Sequence, residues 1–243
     1  ILYVCQEIMP YLPETELSHL SRHLVQAMQE RGNEIRTFMP RYGCINERRN
    51  QSHEVIRLSG MNLIIDDNDH QLIIKVASIP SARIQIYFID NDDFFARKAI
   101  LTDADGNEFE DNDERAIFFA RGVLETVKKL RWTPTLVHCS GWMSALTPLF
   151  LKKMYADTPF FENTKIILSL DDNEYTTPFS SKFTNKILGG GILNSDIRGV
   201  AGLPVGYEDL MRLAIDYSDA IVLASEHVNQ RLLNYAQNSG KRI

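Results

Sequence analysis

Pro13-Glu14-Thr15-Glu16-Leu17 stands where this chain would hold a phosphate, after the apolar strand Ile1–Cys5 and at the start of an amphipathic helix. In a strand–loop–helix unit a phosphate rests on backbone N–H groups at the helix N-terminus. That task calls for glycine, so that the backbone can approach, and often for a lysine to balance charge. Two glutamates and a proline occupy these positions instead. A carboxylate within about 5 Å of a diphosphate costs roughly 3 kcal/mol per unit charge at an effective dielectric near 20. The loop has the position of a phosphate loop and the wrong chemistry for one.

Other groups with chemical potential sit at similar junctions. Glu7 follows the first strand, and His138-Cys139-Ser140-Gly141-Trp142 ends a later one. Ligands of open α/β sheets bind beyond the carboxyl ends of the strands. There His138 could meet a ligand and Trp142 could stack on a sugar face; equally, the His could be satisfied by backbone and the Trp packed in the core. Asp171-Asp172-Asn173-Glu174-Tyr175 follows another strand, as a polar ligand shell or an ordinary turn. Asp111 and Asn112 open the longest helix, where they can cap it or reach sugar hydroxyls. Asp103-Ala104-Asp105-Gly106-Asn107 has calcium-loop spacing, but Glu108 occupies the position that requires glycine, so a turn is expected and no metal site.

The elements that position these residues alternate. Short β-rich runs at Ile1–Cys5, Glu34–Met39, Leu136–Cys139, Lys165–Leu170 and Ala220–Ala224 are separated by helical patterns. Those helices are expected after Leu17, over Asp111–Leu130, Met143–Tyr155 and Tyr207–Tyr217, and at the end over Glu226–Asn238. Such alternation predicts a parallel sheet with crossover helices. Between about 53 and 90, four close strand candidates (Val55–Leu58, Met61–Ile65, Leu72–Val76, Ile84–Ile89) have no helix between them and predict an antiparallel insertion. Residues about 178–204, with Gly189-Gly190-Gly191, are expected to form an irregular surface loop. The fold class is thus α/β, a Rossmann-like three-layer sandwich with a mostly parallel sheet.

The 243 residues, 44% hydrophobic and 24% charged, bound an ordinary globular chain with a large core. A net charge of −6 argues against nonspecific binding to nucleic acid or an anionic membrane. Three cysteines without C-x-x-C spacing read as reduced thiols, hence a cytoplasmic setting. No apolar run has membrane-spanning length, and no secretory signal opens the sequence.

Together these residues resemble the N-terminal domain of bacterial glycogen synthase and plant starch synthase. The ordered set is Glu7-x-x-Pro10, Arg31-Gly32, Pro40-Arg41-Tyr42, Asp103-x-x-Gly106, Asp111-Asn112-x-x-Arg115 and His138-Cys139-x-x-Trp142-x-x-Ala145-Leu146. The resemblance implies glucose transfer from ADP-glucose to an α-1,4-glucan by two Rossmann-like domains. It also implies that Glu7, Asp111, Asn112, His138, Trp142 and Asn173 face glucan or sugar, with no metal and no cofactor beyond the sugar nucleotide. Departures are equally clear. The family's Lys-x-Gly-Gly-Leu loop corresponds to Pro13, Glu14, Thr15, Glu16 and Leu17, and its active-centre His-Asp corresponds to Ser140 and Gly141. The family's later His-Asn pair corresponds to Asp172-Asn173.

A single domain over 1–243 without the donor-binding half is therefore expected, not competent in catalysis by itself. Either a protein supplying the donor domain completes it, or it is a non-catalytic α-glucan-binding or regulatory protein, with maltooligosaccharide as ligand.

Overall fold

The computed structural model describes residues 1–243. The chain runs β1 (Leu2–Cys5), α1 (Glu16–Glu30), β2 (Arg36–Pro40), β3 (His53–Glu54), β4 (Met61–Ile65), β5 (Asn68–Ile79) and β6 (Ile84–Asp90). It continues through α2 (Asp92–Phe95), α3 (Asn112–Lys129), β7 (Leu136–Ser140), α4 (Thr147–Lys153), β8 (Lys165–Leu170), α5 (Phe183–Ile187), α6 (Tyr207–Asp216), β9 (Ala220–Leu223) and α7 (Gln230–Asn238).

The sheet order is β3-β5-β6-β2-β1-β7-β8-β9, with β4 hydrogen-bonded to β5 outside this path. From β6 to β9 every neighbour pair is parallel. β3, β4 and β6 each pair antiparallel with β5, so the inserted segment joins the sheet as its antiparallel end. β1 lies between β2 and β7. The chain builds to one side of β1 first and then to the other, which makes the carboxyl ends of β1 and β7 the switch point where such sheets take ligands.

The strands form for the expected reason. β1 is a fully buried apolar run and β8 a largely buried one interrupted only by Ser169, as a covered parallel sheet accommodates. One apolar cluster reaches from Leu2 through the insertion's Leu63 and Leu72 to Ala236. Helix α3 rides close over the sheet because Gly122 carries no side chain: a Cβ there would lie 2.9 Å from Ile89 Cγ2. This seating holds the N-terminus of α3, with Asp111 and Asn112, beside the sheet's ligand edge.

Several expectations are corrected. Val55–Leu58 is a turn and not a strand: after Val55 N donates to Ile74 O, Leu58 N folds back to Val55 O and the buried Leu58 side chain anchors the bend. The strand expected at Leu72–Val76 extends over all of Asn68–Ile79, because Asp66 and Asp67 both take positive φ (50° and 63°) in the two-residue turn that closes the β4–β5 hairpin. Helix Met143–Tyr155 is split into a short 3-10 turn and α4, with Pro148 inside the first turn of α4. The last helix starts at Gln230, where Asn229 accepts from the amides of Arg231 and Leu232. The 178–204 region is more ordered than expected, holding α5 and a pair of backbone bonds between Phe179 and Val205.

Candidate functional site

Three loops meet at the carboxyl ends of β1, β7 and β8. Gln6, buried just past β1, ties them together: its Nε2 donates to Asn173 Oδ1 at 3.3 Å and its Oε1 accepts from Met143 N at 3.0 Å. Gly141 makes room for it. Its φ is +83°, and a Cβ there would sit 2.6 Å from Gln6 Cβ. Glycine is therefore required twice over, by backbone conformation and by the neighbouring side chain.

The loop before α1 is closed on itself. Thr15 Oγ1 accepts from Ser18 N at 3.0 Å, and Ser18 Oγ accepts from Thr15 N at 2.9 Å. This reciprocal cap uses amide donors that a helix N-terminus would otherwise offer to an anion. Thr15 Oγ1 also donates to Glu7 Oε2 at 2.8 Å, so the buried Glu7 carboxylate is bound to the cap. Glu14 and Glu16 are exposed beside an open hollow of about 550 Å³ that includes His19, His23 and Ala224. At water-like dielectric their repulsion of a phosphate falls from the roughly 3 kcal/mol expected to about 1 kcal/mol per unit charge at 5 Å.

Beyond β8, Asp171 is 4% exposed. Its Oδ1 accepts from Asn173 N at 2.9 Å, while its Oδ2 has no partner within the protein. Burial pushes the carboxyl up to about 7, with the nearby Asp172 and Glu7 charges acting in the same direction and the Asn173 amide against it. Ser140 Oγ, Trp142 Nε1 and Tyr207 OH are likewise buried and unpartnered. Buried polar atoms are almost always paired, so such a group around the switch point marks a place suited to polar ligand atoms.

A cleft of about 370 Å³ adjoins, walled by Glu108, Glu110, Asn112, Tyr175, Thr177 and Phe179 among others. Its shape is set by Glu108, whose two carboxylate oxygens accept from Thr176 N (2.8 Å) and Thr177 N (2.6 Å). Tyr175 and Phe179 stack 4.5 Å apart, and Tyr175 OH donates to Val205 O at 2.9 Å. Two nearby cations are already paired with carboxylates. Lys186 bridges Asp113 (2.9 Å) and Glu114 (2.7 Å), and Arg97 makes a fork on Asp111. Glu110 remains free in the crevice wall, and behind Asn112 the buried Arg115 keeps an unpartnered Nη2.

A model of the starch synthase catalytic domain matches residues 1–241. The chain belongs to that family. Glycogen synthase from Chlorobium luteolum is 36% identical over 213 residues, covering 86% of this chain and 44% of the relative. Glycogen synthase from Chlorobaculum tepidum is 33% identical over 236 residues, 96% of this chain and 47% of the relative. The catalytic domain of starch synthase IV from Arabidopsis thaliana, bound to ADP and acarbose, shares the fold. Its TM-score is 0.74 at 19% identity, over 90% of this chain and 43% of that one. This chain thus spans less than half the length of these relatives.

In this starch synthase-type domain the sequence-predicted residues divide. Glu7 and Asn173 both lie at the switch point, Glu7 bonded to Thr15 and Asn173 to Gln6. Asp111 and Asn112 lie at the neighbouring cleft but are engaged elsewhere: Asp111 with Arg97, and Asn112 with Leu101 O and with Arg115. His138 is buried, bonded through Nε2 to Ser169 Oγ at 2.7 Å and edge-on to Tyr3, and burial lowers its imidazole to about 4. Trp142 is 1% exposed and T-shaped on Tyr175, so its indole forms the back of the aromatic wall and offers no open face to a sugar. For both, the geometry favours core packing over direct contact.

Sequence reasoning gave no site role to Gln6, Glu108 and Phe179, took Asp171 and Tyr175 only as parts of a strand-end stretch, and singled out Asn173 where Asp171 carries the buried carboxyl. Asp171 had a signal, its place immediately after a strand. Glu108 had none, because its partners are backbone amides some 70 residues away in sequence.

Proposed function

We propose that this chain keeps the glucan-holding face of a glycogen or starch synthase and binds an α-1,4-glucan, without transferring glucose from ADP-glucose by itself. The observation that carries this is the Thr15/Ser18 cap. At the helix N-terminus that would receive a diphosphate, the Thr15 and Ser18 amides are already bonded to its own side chains, and Glu7, Glu14 and Glu16 surround it. A neutral polyol is not repelled by those charges and gains from them, since carboxylates accept strongly from hydroxyls. The cleft beside it has the makings of a sugar site: free carboxylate at Glu110, hydroxyls at Thr177 and Ser180, and aromatic edges from Tyr175 and Phe179. Ser140 and Gly141 supply no imidazole or carboxylate at the positions where the family has both, which supports the absence of transfer. Loss of such a transition-state contact is typically worth about 3–4 kcal/mol.

Two assays test this. Retardation of the purified chain in glycogen-containing native gels is expected, and Glu110→Ala should weaken it by about three- to tenfold without changing the fold. Label from ADP-glucose should not enter glycogen above a no-protein control. Migration unaffected by glycogen, or label incorporated by the chain alone, defeats the proposal.

A further inference from the structure

We propose that a pocket at the amino edge of the sheet, on the opposite side from the glucan crevice, binds a small phosphate-bearing anion. It has a volume of about 270 Å³ and is lined by Arg36, Arg57, Leu58, Tyr87, Lys129 and Leu130. Three cations from three separate segments converge there: the first residue of β2, the loop after β3 and the last residue of α3. No carboxylate lines it, in a chain whose net charge is −6.

The cations are not consumed by the fold. Arg57 makes no ion pair and no side-chain hydrogen bond. Lys129 Nζ reaches only Ser59 O, at 3.4 Å. Arg36 lies over the Trp132 ring at 4.8 Å, and its one carboxylate neighbour, Glu34, is 3.6 Å away on a side chain that is 69% exposed. Complementing the dipole of α3 accounts for Lys129 but not for two arginines brought in from outside the helix. Guanidinium forks match phosphate oxygens in pairs, and an ammonium adds a point charge. Like charges held together without a counter-ion repel one another, and an anion between them relieves that. Tyr87, part of the wall and stacked on Phe38, gives the pocket one flat side against which a ring could lie. The site is independent of the glucan reading, since it shares no residue with the crevice.

Trp132 allows a direct test, being one of two tryptophans, with the other, Trp142, 1% exposed. Trp132 fluorescence is followed while inorganic phosphate replaces chloride at constant ionic strength, and then with a hexose phosphate. Saturable change is expected, with Arg57→Ala and Lys129→Ala each raising Kd about tenfold, as loss of a charge-assisted contact does. Both positions are exposed, and relief of repulsion offsets the lost contacts, so the melting temperature without phosphate should move by no more than a few degrees. Tighter binding of the hexose phosphate would assign the Tyr87 wall to the sugar; equal affinity would assign the site to the phosphate group alone. A response no larger than chloride gives, or variants that bind as the parent does, overturns the proposal.

Discussion

Replacing Asp171 by Asn should make the protein more stable at pH 8 and flatten its pH dependence. The side chain is 4% exposed, its Oδ2 has no partner, and burial raises the carboxyl from an ordinary 3.8 to about 7. A group whose folded pKa lies above its unfolded one holds a proton in the native state that the unfolded chain has released. Its contribution is present in full below about pH 4 and is lost as pH rises to 7. Across that window the loss is about 4 kcal/mol, of which about 3 kcal/mol falls above pH 5. Asparagine keeps an oxygen for the Asn173 amide but adds a buried N–H₂ that costs about 1–2 kcal/mol. The net expectation is a gain of about 2–3 kcal/mol at pH 8 and little or no gain at pH 5. Urea unfolding of both proteins at the two pH values measures it. If parent and variant lose stability equally between pH 5 and pH 8, the buried-carboxyl reasoning is refuted.

Other expectations follow from the same geometry. Gly141→Ala should cost about 3–5 kcal/mol, from a positive φ and displacement of Gln6; in the Gln6→Gly background, which removes the Cβ it would strike, urea unfolding should show at least about 1 kcal/mol less, and strict additivity would disprove the contact. Thr15→Ala should cost about 1–2 kcal/mol by removing the cap and the donor to Glu7, and a change below 0.3 kcal/mol in chemical denaturation would show the cap to be idle. The His138 imidazole, lowered to about 4 by burial, should stay neutral in NMR spectra down to about pH 5. Its contribution is intact above the unfolded value near 6.5 and is lost as pH falls toward 4; a resonance titrating near 6.5 would place the ring in solvent.

The parallel half of the fold was legible because its strands are short apolar runs and its helices carry apolar stripes, two periodicities that sequence displays directly. The insertion was legible as antiparallel but not in its bounds. The turn at Asp66-Asp67 uses two left-handed aspartates, which sequence does not distinguish from a solvated acidic run. At the site, the positions beyond strand ends were readable: Glu7 follows β1 and Asn173 follows β8. What could not be read was direction. His138 and Trp142 occupy ligand-edge positions, yet their side chains turn inward onto Tyr3, Ser169 and Tyr175. Nor could sequence disclose that Thr15, an ordinary capping residue, also donates its hydroxyl to Glu7 and so draws that carboxylate against the helix N-terminus.

Calorimetric titration of the purified chain with maltoheptaose and, separately, with ADP-glucose tests the central claim most directly. The account predicts saturable binding of the maltooligosaccharide and no heat of binding from the sugar nucleotide at millimolar concentration. Tight ADP-glucose binding, or no glucan binding at millimolar sugar, would contradict it.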